Sequence, residues 1–412
     1  MATRTRVISQ NKAVYVTPTG WDQYAEYEAG LGAAGLMTGN SMVTGHHLHR
    51  VDTFSFEMDL AGARQDVREF GQLARIGTVN LTEVNPTLSF GYYLGDGENE
   101  LALGFHKSVT DLSNAATAQM CSGQLSEDDI LKERNIFLMT VAEGEDAFDL
   151  TDDTMLTHQD KHDVVGFGNC FLSSYSANFS VGEIPRADIE MQASNIVFYT
   201  GINSGLINPS LNLEGERTHT GIVKLPAPDT GTAVPLVLRP QDVTVSFGPG
   251  DDGTSAIGGP SFSALPIQSA SLELPLAREV IEALGNELAY AKLLEFPIDV
   301  TMNISSLTRD FASGALEYAL TGTAENDKTN ITLNITEDGS QALEYILQGA
   351  VLDNQSFSQG LDDNETVDLT FSAQIGGAST TDQGLFFFPE ADVPTFNVMS
   401  GDNHKLAAQP IK

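Results

Sequence analysis

Histidines are the side chains of this chain whose type and spacing could bind a metal ion. His46, His47 and His49 lie within four positions of one another. His158 and His162 are four positions apart, among several aspartates. A metal site needs further ligands and outer groups that orient them, and the second half of the chain offers no matching pair. We interpret both groups as polar loop residues and predict no metal site.

Other motifs that could do chemistry are incomplete. Asp96-Gly97-Glu98 and Asp251-Asp252-Gly253 resemble pieces of calcium loops, but neither has the alternating aspartates and closing glutamate of a complete loop. Nucleophile-elbow, zinc-protease, P-loop and dinucleotide motifs are absent from the sequence. With 56 acidic residues, neighbouring carboxylates are expected by chance. The sequence therefore predicts no catalytic residue and no cofactor, and the protein is not expected to be an enzyme.

The charge of the chain is strongly acidic. It has 21 basic and 56 acidic residues, a formal net charge of −35. Such a surface repels polyanions, which disfavours tight binding to DNA, RNA or an anionic membrane. One explanation is solubility at high concentration or in salty water, and the other is a surface along which nucleic acid slides without sticking. Both remain open from the sequence.

The sequence also gives an expectation about location. Cys121 and Cys170 are too few for a disulfide framework, and no stretch approaches the 18 apolar residues of a membrane span. The first residues lack the apolar core of a signal peptide. We expect a protein made in a cytoplasm, with no membrane partner.

Four pairs of segments recur in the same order along the chain. The first pair, Val51–Leu60 and Ile267–Leu276, shares one apolar rhythm at an offset of 216 residues. Three further pairs follow at offsets of 211, 195 and 178 residues, and they begin at Pro86 and Pro297, Asn135 and Asn330, and Ile189 and Val367. This order predicts that one fold is present twice. Two similar domains in one chain can replace two subunits of a ring.

Period-two alternation of apolar residues predicts a mostly β protein with a minor α component. The predicted strands are 51–58, 87–93, 135–141, 187–193, 243–247, 267–274, 298–304, 330–335 and 365–371. One flanking helix per repeat is predicted at 63–72 and 276–284, ending near Gly71 and Gly285. Weaker helical signals lie at 22–36 and from Ser126.

Composition shifts divide the chain into four parts. We predict an N-terminal arm or extra layer at 1–40, a first domain at 41–215, a linker rich in turn residues at 216–235, and a second domain at 236–412.

A set of segments in the first repeat carries a family resemblance. The segments are Phe54–Leu60, Arg64–Gln72, Pro86–Leu94, Asn99–Phe105, Asn135–Leu138 and Glu143–Ala147. In this order they resemble the tail tube (major tail) proteins of long-tailed bacteriophages. The likeness covers roughly residues 50–195 and extends through the repeat to 265–375.

The resemblance implies two tandem tail-tube-like β-sandwich or barrel domains, each with a flanking helix. In this family the inner sheets of neighbouring subunits join into one barrel around a lumen. A duplicated chain implies stacked homotrimeric rings with pseudo-sixfold symmetry, located in the tail of the virion. The implied partners are other copies of the chain, the tape measure protein, the tail terminator and baseplate or tail-tip proteins. DNA would pass through the lumen without tight binding.

Only the polar residues of an alternating strand can face a wet channel. The candidate lumen-facing acids are Glu57 and Asp59 in the first repeat and Glu273 and Asp299 in the second. The alternative is another β-rich virion component, such as a baseplate, decoration or glycan-binding adhesion protein. A single tryptophan disfavours the adhesion protein, because such proteins more often show clustered exposed aromatics.

Overall fold

The structure is a computed structural model. The residues that it describes are 12–19, 42–59, 64–80, 85–105, 133–141, 162–199, 206–211, 222–225, 238–249, 266–284, 289, 291–307, 328–337, 340–358, 366–375, 383–390, 395–399 and 407–410. The candidate helices at 22–36 and from Ser126 lie outside these ranges.

Strands dominate the described residues, which confirms the prediction of a mostly β fold. The first half contains β1 (Lys12–Pro18), β2 (Met42–Thr44), β3 (His46–His47), β4 (Val51–Glu57), β5 (Arg64–Val67), β6 (Gly77–Asn80), β7 (Thr87–Tyr93), helix α1 (Glu98–Leu103), β8 (Arg134–Val141), β9 (His162–Ser180), β10 (Arg186–Gln192), β11 (Asn195–Tyr199), β12 (Leu206–Ile207) and β13 (Ile222–Lys224).

The second half begins with a short 3-10 helix, Pro240–Asp242. Its strands are β14 (Val243–Pro249), β15 (Ile267–Pro275), β16 (Arg278–Ile281), β17 (Ala291–Leu294), β18 (Asp299–Leu307), β19 (Thr329–Glu337), β20 (Ser340–Ser358), β21 (Thr366–Gln374), β22 (Gly384–Pro389), β23 (Thr395–Met399) and β24 (Ala407–Pro410). Each of the nine strands predicted from alternation overlaps one of the observed strands.

The two predicted flanking helices are wrong. Residues 64–80 form the antiparallel hairpin β5–β6, in which Val67 pairs with Gly77. Residues 278–294 contain a second hairpin, β16–β17, in which Ile281 pairs with Ala291. Gly71, with a φ of 96°, lies in the connection between β5 and β6, so its positive φ serves that connection rather than a helix end.

Two series of strands have the same order of pairing. The first is β1-β8-β9-β10-β7-β4, and the second is β14-β19-β20-β21-β18-β15. An additional strand pairs with the longest strand in each series, β11 with β9 and β22 with β20. All of these pairs are antiparallel. The long strands β9 and β20 have 19 residues each.

Irregularities of the ladders fall at matching places in the two series. The register shifts between Val51 and Thr53 in β4 and, 216 positions later, between Ile267 and Ser269 in β15. The shifts in β8 and β19 begin at Arg134 and Thr329, 195 positions apart. Since bulges fix the register of a sheet, these matches align the two series residue by residue.

The ladders correct two of the offsets read from the sequence. The pairing of β10 with β9 shifts register between Glu190 and Met191, and the pairing of β21 with β20 shifts register between Thr370 and Phe371. These two irregularities are 180 positions apart, so β10 and β21 are related by an offset of 180 rather than 178. The same ladders place Leu88 opposite Met191 and Met302 opposite Phe371, an offset of 214 in place of 211. The slip from 178 to 180 is two residues, which leaves the apolar rhythm unchanged, so the sequence does not detect it. The slip from 211 to 214 is three residues, because the sequence offset matches Pro86 with Pro297, whereas the ladders match Leu88 with Met302.

The two series form one continuous sheet. β15 pairs with the last residues of β9, from Ser174 to Ser180. One cluster of buried apolar side chains extends through both series. Residues 12–18, which the sequence assigned to an N-terminal arm or extra layer, form β1 inside the first series. Residues 222–224, in the predicted linker, form β13 of a smaller sheet with the order β12-β13-β2-β23-β24.

Candidate functional site

Eight neighbouring strands place polar side chains on one face and apolar side chains on the other. Their order is β4-β7-β10-β9-β15-β18-β21-β20, and only the second half of β20 takes part. In β18, for example, Val300, Met302 and Ile304 are buried, whereas Thr301 and Asn303 between them are partly exposed. At the seam between the series, a cavity of about 610 Å³ is lined by residues of β9, β15, β18 and β21.

The polar face is acidic. Its carboxylates in the eight strands include Asp52, Glu57, Asp188, Glu190, Glu273, Asp299 and Asp368. In the same described strands its basic side chain is Arg186. The Arg186 guanidinium lies 2.6 Å from Asp52 and 2.9 Å from Asp188. Two carboxylates compensate this single cation, so the face keeps a net negative charge.

A glycine makes room for that cation. Gly91 on β7 is the cross-strand partner of Asp188, and a Cβ atom at this position would overlap the Arg186 side chain. Arg186 also donates a hydrogen bond of 2.7 Å to Thr53 on β4. The arginine therefore bridges β10 and β4 across β7.

Three of the four predicted lumen-facing acids share this face. Glu273 is the cross-strand partner of Thr301, and Asp299 lies two residues before Thr301 on the same side of β18. Glu57 is the cross-strand partner of Thr87. Asp59 is exposed and lies two residues beyond the end of β4.

Three further acids of the face, Asp188, Glu190 and Asp368, are not among the predicted lumen-facing residues. Their sequence signal is the same, because they are the polar members of the predicted alternating strands 187–193 and 365–371.

The two series are joined by the regular antiparallel pair of β9 and β15, and hairpin β16–β17 packs beside this pair. Ser271 pairs with Asn178 and Glu273 with Ser176. Hairpin β16–β17 covers Phe171 of the first series: the Arg278 guanidinium lies 4.7 Å and the Lys292 Nζ atom 5.6 Å from the centre of its ring.

Lys292 also makes polar contacts with the first series. Its Nζ atom donates hydrogen bonds to Asn85 Oδ1 at 3.0 Å and to Ser194 Oγ at 2.7 Å.

The counterparts of β15 and β9 lack the strand pairing that joins the two series, within the described part of the chain. β4 corresponds to β15, and its edge opposite β7 is open. Residues 351–358 of β20 correspond to 171–178 of β9, and their edge opposite β21 is open. Hairpin β5–β6, the counterpart of β16–β17, exposes the apolar side chains Val67, Phe70, Leu73, Ile76 and Val79.

Helix α1 begins and ends at glycines with positive φ, Gly97 at 89° and Gly104 at 108°. A Cβ atom on Gly97 would overlap Pro389, so the helix begins against β22 of the second series. The helix places Glu100 in the buried seam, where its Oε1 atom accepts a hydrogen bond of 3.3 Å from the Tyr175 hydroxyl. That hydroxyl also bonds to the hydroxyl of Tyr345 on β20. Burial raises the pKa of the Glu100 carboxyl above its usual range.

The first histidine group lies beside Glu98, which belongs to the incomplete calcium-loop fragment Asp96-Gly97-Glu98. His46 Nε2 lies 3.6 Å from Glu98 Oε1, and His49 Nε2 lies 3.6 Å from Glu98 Oε2. About fifty residues separate the histidines from Glu98, so sequence spacing gives no sign of the contact. His158 lies outside the described residues, and His162 begins β9.

No family model matches the chain, and no curated protein shows significant similarity to it. The helices in the described part of the chain are too short to span a membrane.

Proposed function

We propose that this chain is the structural subunit of a bacteriophage tail tube and assembles into homotrimeric rings that stack around a DNA-conducting lumen. The observation that carries the proposal is the junction of β15 with β9, together with the open edges of their counterparts. Strand edges that stay unpaired invite another chain, and closing a ring of such edges removes them.

Head-to-tail pairing would repeat the internal junction between molecules. β4 of one chain would pair with residues 351–358 of the next, as β15 pairs with β9 inside the chain. Hairpin β5–β6 would then cover the second series of the neighbour, as β16–β17 covers Phe171. A head-to-tail contact of this kind closes into a ring when the rotation between neighbouring chains is a whole-number fraction of a full turn.

The size of the trimer suits a duplex. Each chain contributes eight strands to the polar face, so three chains give 24. At about 4.8 Å per strand, the barrel would be at least roughly 37 Å wide between backbones, and wider with tilted strands. Side chains extend about 5 Å from the sheet, which leaves room for double-stranded DNA.

The charge of the face suits passage rather than capture. Proteins hold DNA by neutralising its phosphates with lysine and arginine. The polar face offers at least seven carboxylates and one arginine, which two of them compensate, so it would repel the phosphates. The tape measure protein, the tail terminator and baseplate or tail-tip proteins are the further partners of this proposal, and the virion tail is the proposed location.

The matched ladders predict the register of the contact between chains. Ser271 opposite Asn178 becomes Ser55 opposite Ser358 of the neighbour, and Glu273 opposite Ser176 becomes Glu57 opposite Ser356. Opposed residues of antiparallel strands have Cα atoms about 4.5–5.5 Å apart, within the range that a disulfide bridges.

Cysteine cross-linking tests this register. The double variant Ser55→Cys, Ser358→Cys should give a ladder on a non-reducing gel that ends at the covalent trimer, and negative-stain images should show rings or tubes. The pair Ser55→Cys, Asn354→Cys is out of register by four residues and is the matched control. The unchanged chain controls for its own two cysteines. A variant that stays monomeric, or cross-links equally in both registers, contradicts the proposal and would favour another type of virion protein.

A further inference from the structure

We propose that His46, His49 and Glu98 form a binding site for a divalent transition-metal ion, with Zn²⁺ as the best match. Two imidazoles and one carboxylate are ligands that zinc accepts, and a fourth position would remain for water. The site is independent of the proposed assembly.

The distances fit a tetrahedral ion. His46 Nε2 and His49 Nε2 each lie 3.6 Å from a different oxygen of the Glu98 carboxylate, and one ligand atom from each of the three residues lies within 4.8 Å of the other two. Bonds of about 2.0–2.1 Å place the ligands of a tetrahedral zinc ion about 3.4 Å apart. Small side-chain rotations would therefore bring the three atoms to coordinating distance. At 3.6 Å they are too far apart for hydrogen bonds to one another.

The fold holds these side chains in place from two elements. Asn99 follows Glu98 on α1, and its side chain bonds to both backbone groups of His49: it accepts from the N–H at 2.9 Å and donates to the carbonyl at 2.8 Å. The turn that carries His49 is thus fastened to the helix that carries Glu98. An aligned pair of elements of this kind lowers the cost of ordering ligands around an ion.

An ion bound at this site would link the first series of strands to the seam between the two series. It would join the connection between β3 and β4 to helix α1, whose first residues contact β22. At an offset of 216, the positions of His46 and His49 are occupied by Phe262 and Leu265. The repeat therefore predicts one site per chain rather than two.

Titration of the metal-free protein tests the proposal. Calorimetry with Zn²⁺ should give one ion per chain, Co²⁺ should give a visible absorption band, and Zn²⁺ should raise the thermal midpoint. His49→Gln and Glu98→Gln should each lower the affinity at least tenfold and reduce the thermal shift. His47→Gln, a change in the neighbouring histidine outside the ligand set, and Glu183→Gln, a change in a distant exposed acid, should keep both. Absence of Zn²⁺ binding by the unchanged chain, or an undiminished shift in the two ligand variants, overturns the site.

Discussion

The two series of strands share one plan, yet their surroundings differ. In the second series, β15 is paired with β9 and hairpin β16–β17 lies over Phe171. In the first series, the edge of β4 is open in the described residues and hairpin β5–β6 is exposed, with Phe70 and Leu73 as accessible as in an extended chain. The edge of the strand is thus paired in one half and open in the other, whereas both hairpins expose apolar side chains, Leu284 and Leu293 in the second.

This difference indicates how the monomer relates to an assembly. The chain contains one complete junction, β15 with β9. It also contains the two strands that would form a second junction, β4 and the second half of β20, at its two open edges. Exposed apolar side chains and an open sheet edge are costly in a free monomer and mark contact surfaces. The comparison also identifies matched pairs of residues whose environments differ, and these allow the following tests.

The largest effect is expected at the position of Phe387 and its counterpart Phe198. Phe387 is fully buried at the seam, with its ring 5.4 Å from that of Tyr345, whereas Phe198 is 62% exposed. Phe387→Ala should lower the free energy of unfolding by about 3–5 kcal/mol, because it removes buried contacts and leaves a cavity. Phe198→Ala should change it by about 0.5 kcal/mol in the unassembled chain. Urea denaturation measures both, and equal losses would show that the seam is not the better packed of the two sites.

The next effect concerns the charge of the polar face. Glu57 and Glu273 are counterparts on this face, whereas Glu69 and Glu279 are exposed acids of the two hairpins or their connections. Assembled protein with lysine at Glu57 and Glu273 should bind duplex DNA at least tenfold more tightly than protein with lysine at Glu69 and Glu279. The two variants have the same net charge, so only the location differs.

Fluorescence anisotropy at 50 and 200 mM salt measures this binding, which should weaken steeply with salt. Negative-stain images establish that both variants assemble. Equal DNA affinity of the two variants would remove the electrostatic part of the proposal and leave the assembly untouched.

A smaller effect is expected from the two hairpins. Lys292→Met removes two hydrogen bonds and a cation–ring contact to the first series, and should cost about 1 kcal/mol of stability. Arg75→Met in the other hairpin removes an exposed ion pair with Asp66 at 3.0 Å and should leave stability unchanged. The hydrogen bond from Arg75 lowers the pKa of Asp66, so NMR should show that pKa rising in the variant. A stability loss from Arg75→Met as large as that from Lys292→Met would contradict the contrast.

The smallest effect is a pH dependence at the seam. Burial raises the folded-state pKa of Glu100 above the ordinary value of 4.5, so the folded chain holds this proton more tightly than the unfolded chain. The contribution of this group to the free energy of unfolding is complete below pH 4.5 and decreases as the pH rises through the folded-state pKa. Glu100→Gln should remove that fall, so the variant should gain on the unchanged chain as the pH rises above about 4.5. Denaturation at a series of pH values measures the difference, and a constant difference would place the carboxylate in a solvated site.

The sequence determined the strands and their repetition, because alternation at period two follows directly from the geometry of a half-buried strand. It did not distinguish the hairpins from helices. Val67 and Phe70 have helical spacing, and a glycine with positive φ ends a helix as readily as it fits a connection between strands. The motif Gly-x-x-Glu-x-Ala-Leu at 97–103 recurs at 314–320 and would have been a better helix signal. The second copy of that motif lies outside the described residues.

Tertiary structure alone decided which distant residues meet. Alternation separates polar from apolar side chains within a strand, but pairing across eight strands is needed to gather Glu57, Glu273 and Asp368 on one acidic face. Likewise, the contact of His49 with Glu98 depends on a turn packing against a helix whose sequence lies about fifty residues away. Local periodicity is set by backbone geometry and can be read from a sequence, whereas long-range contacts depend on register and packing that a single sequence does not encode in its spacing.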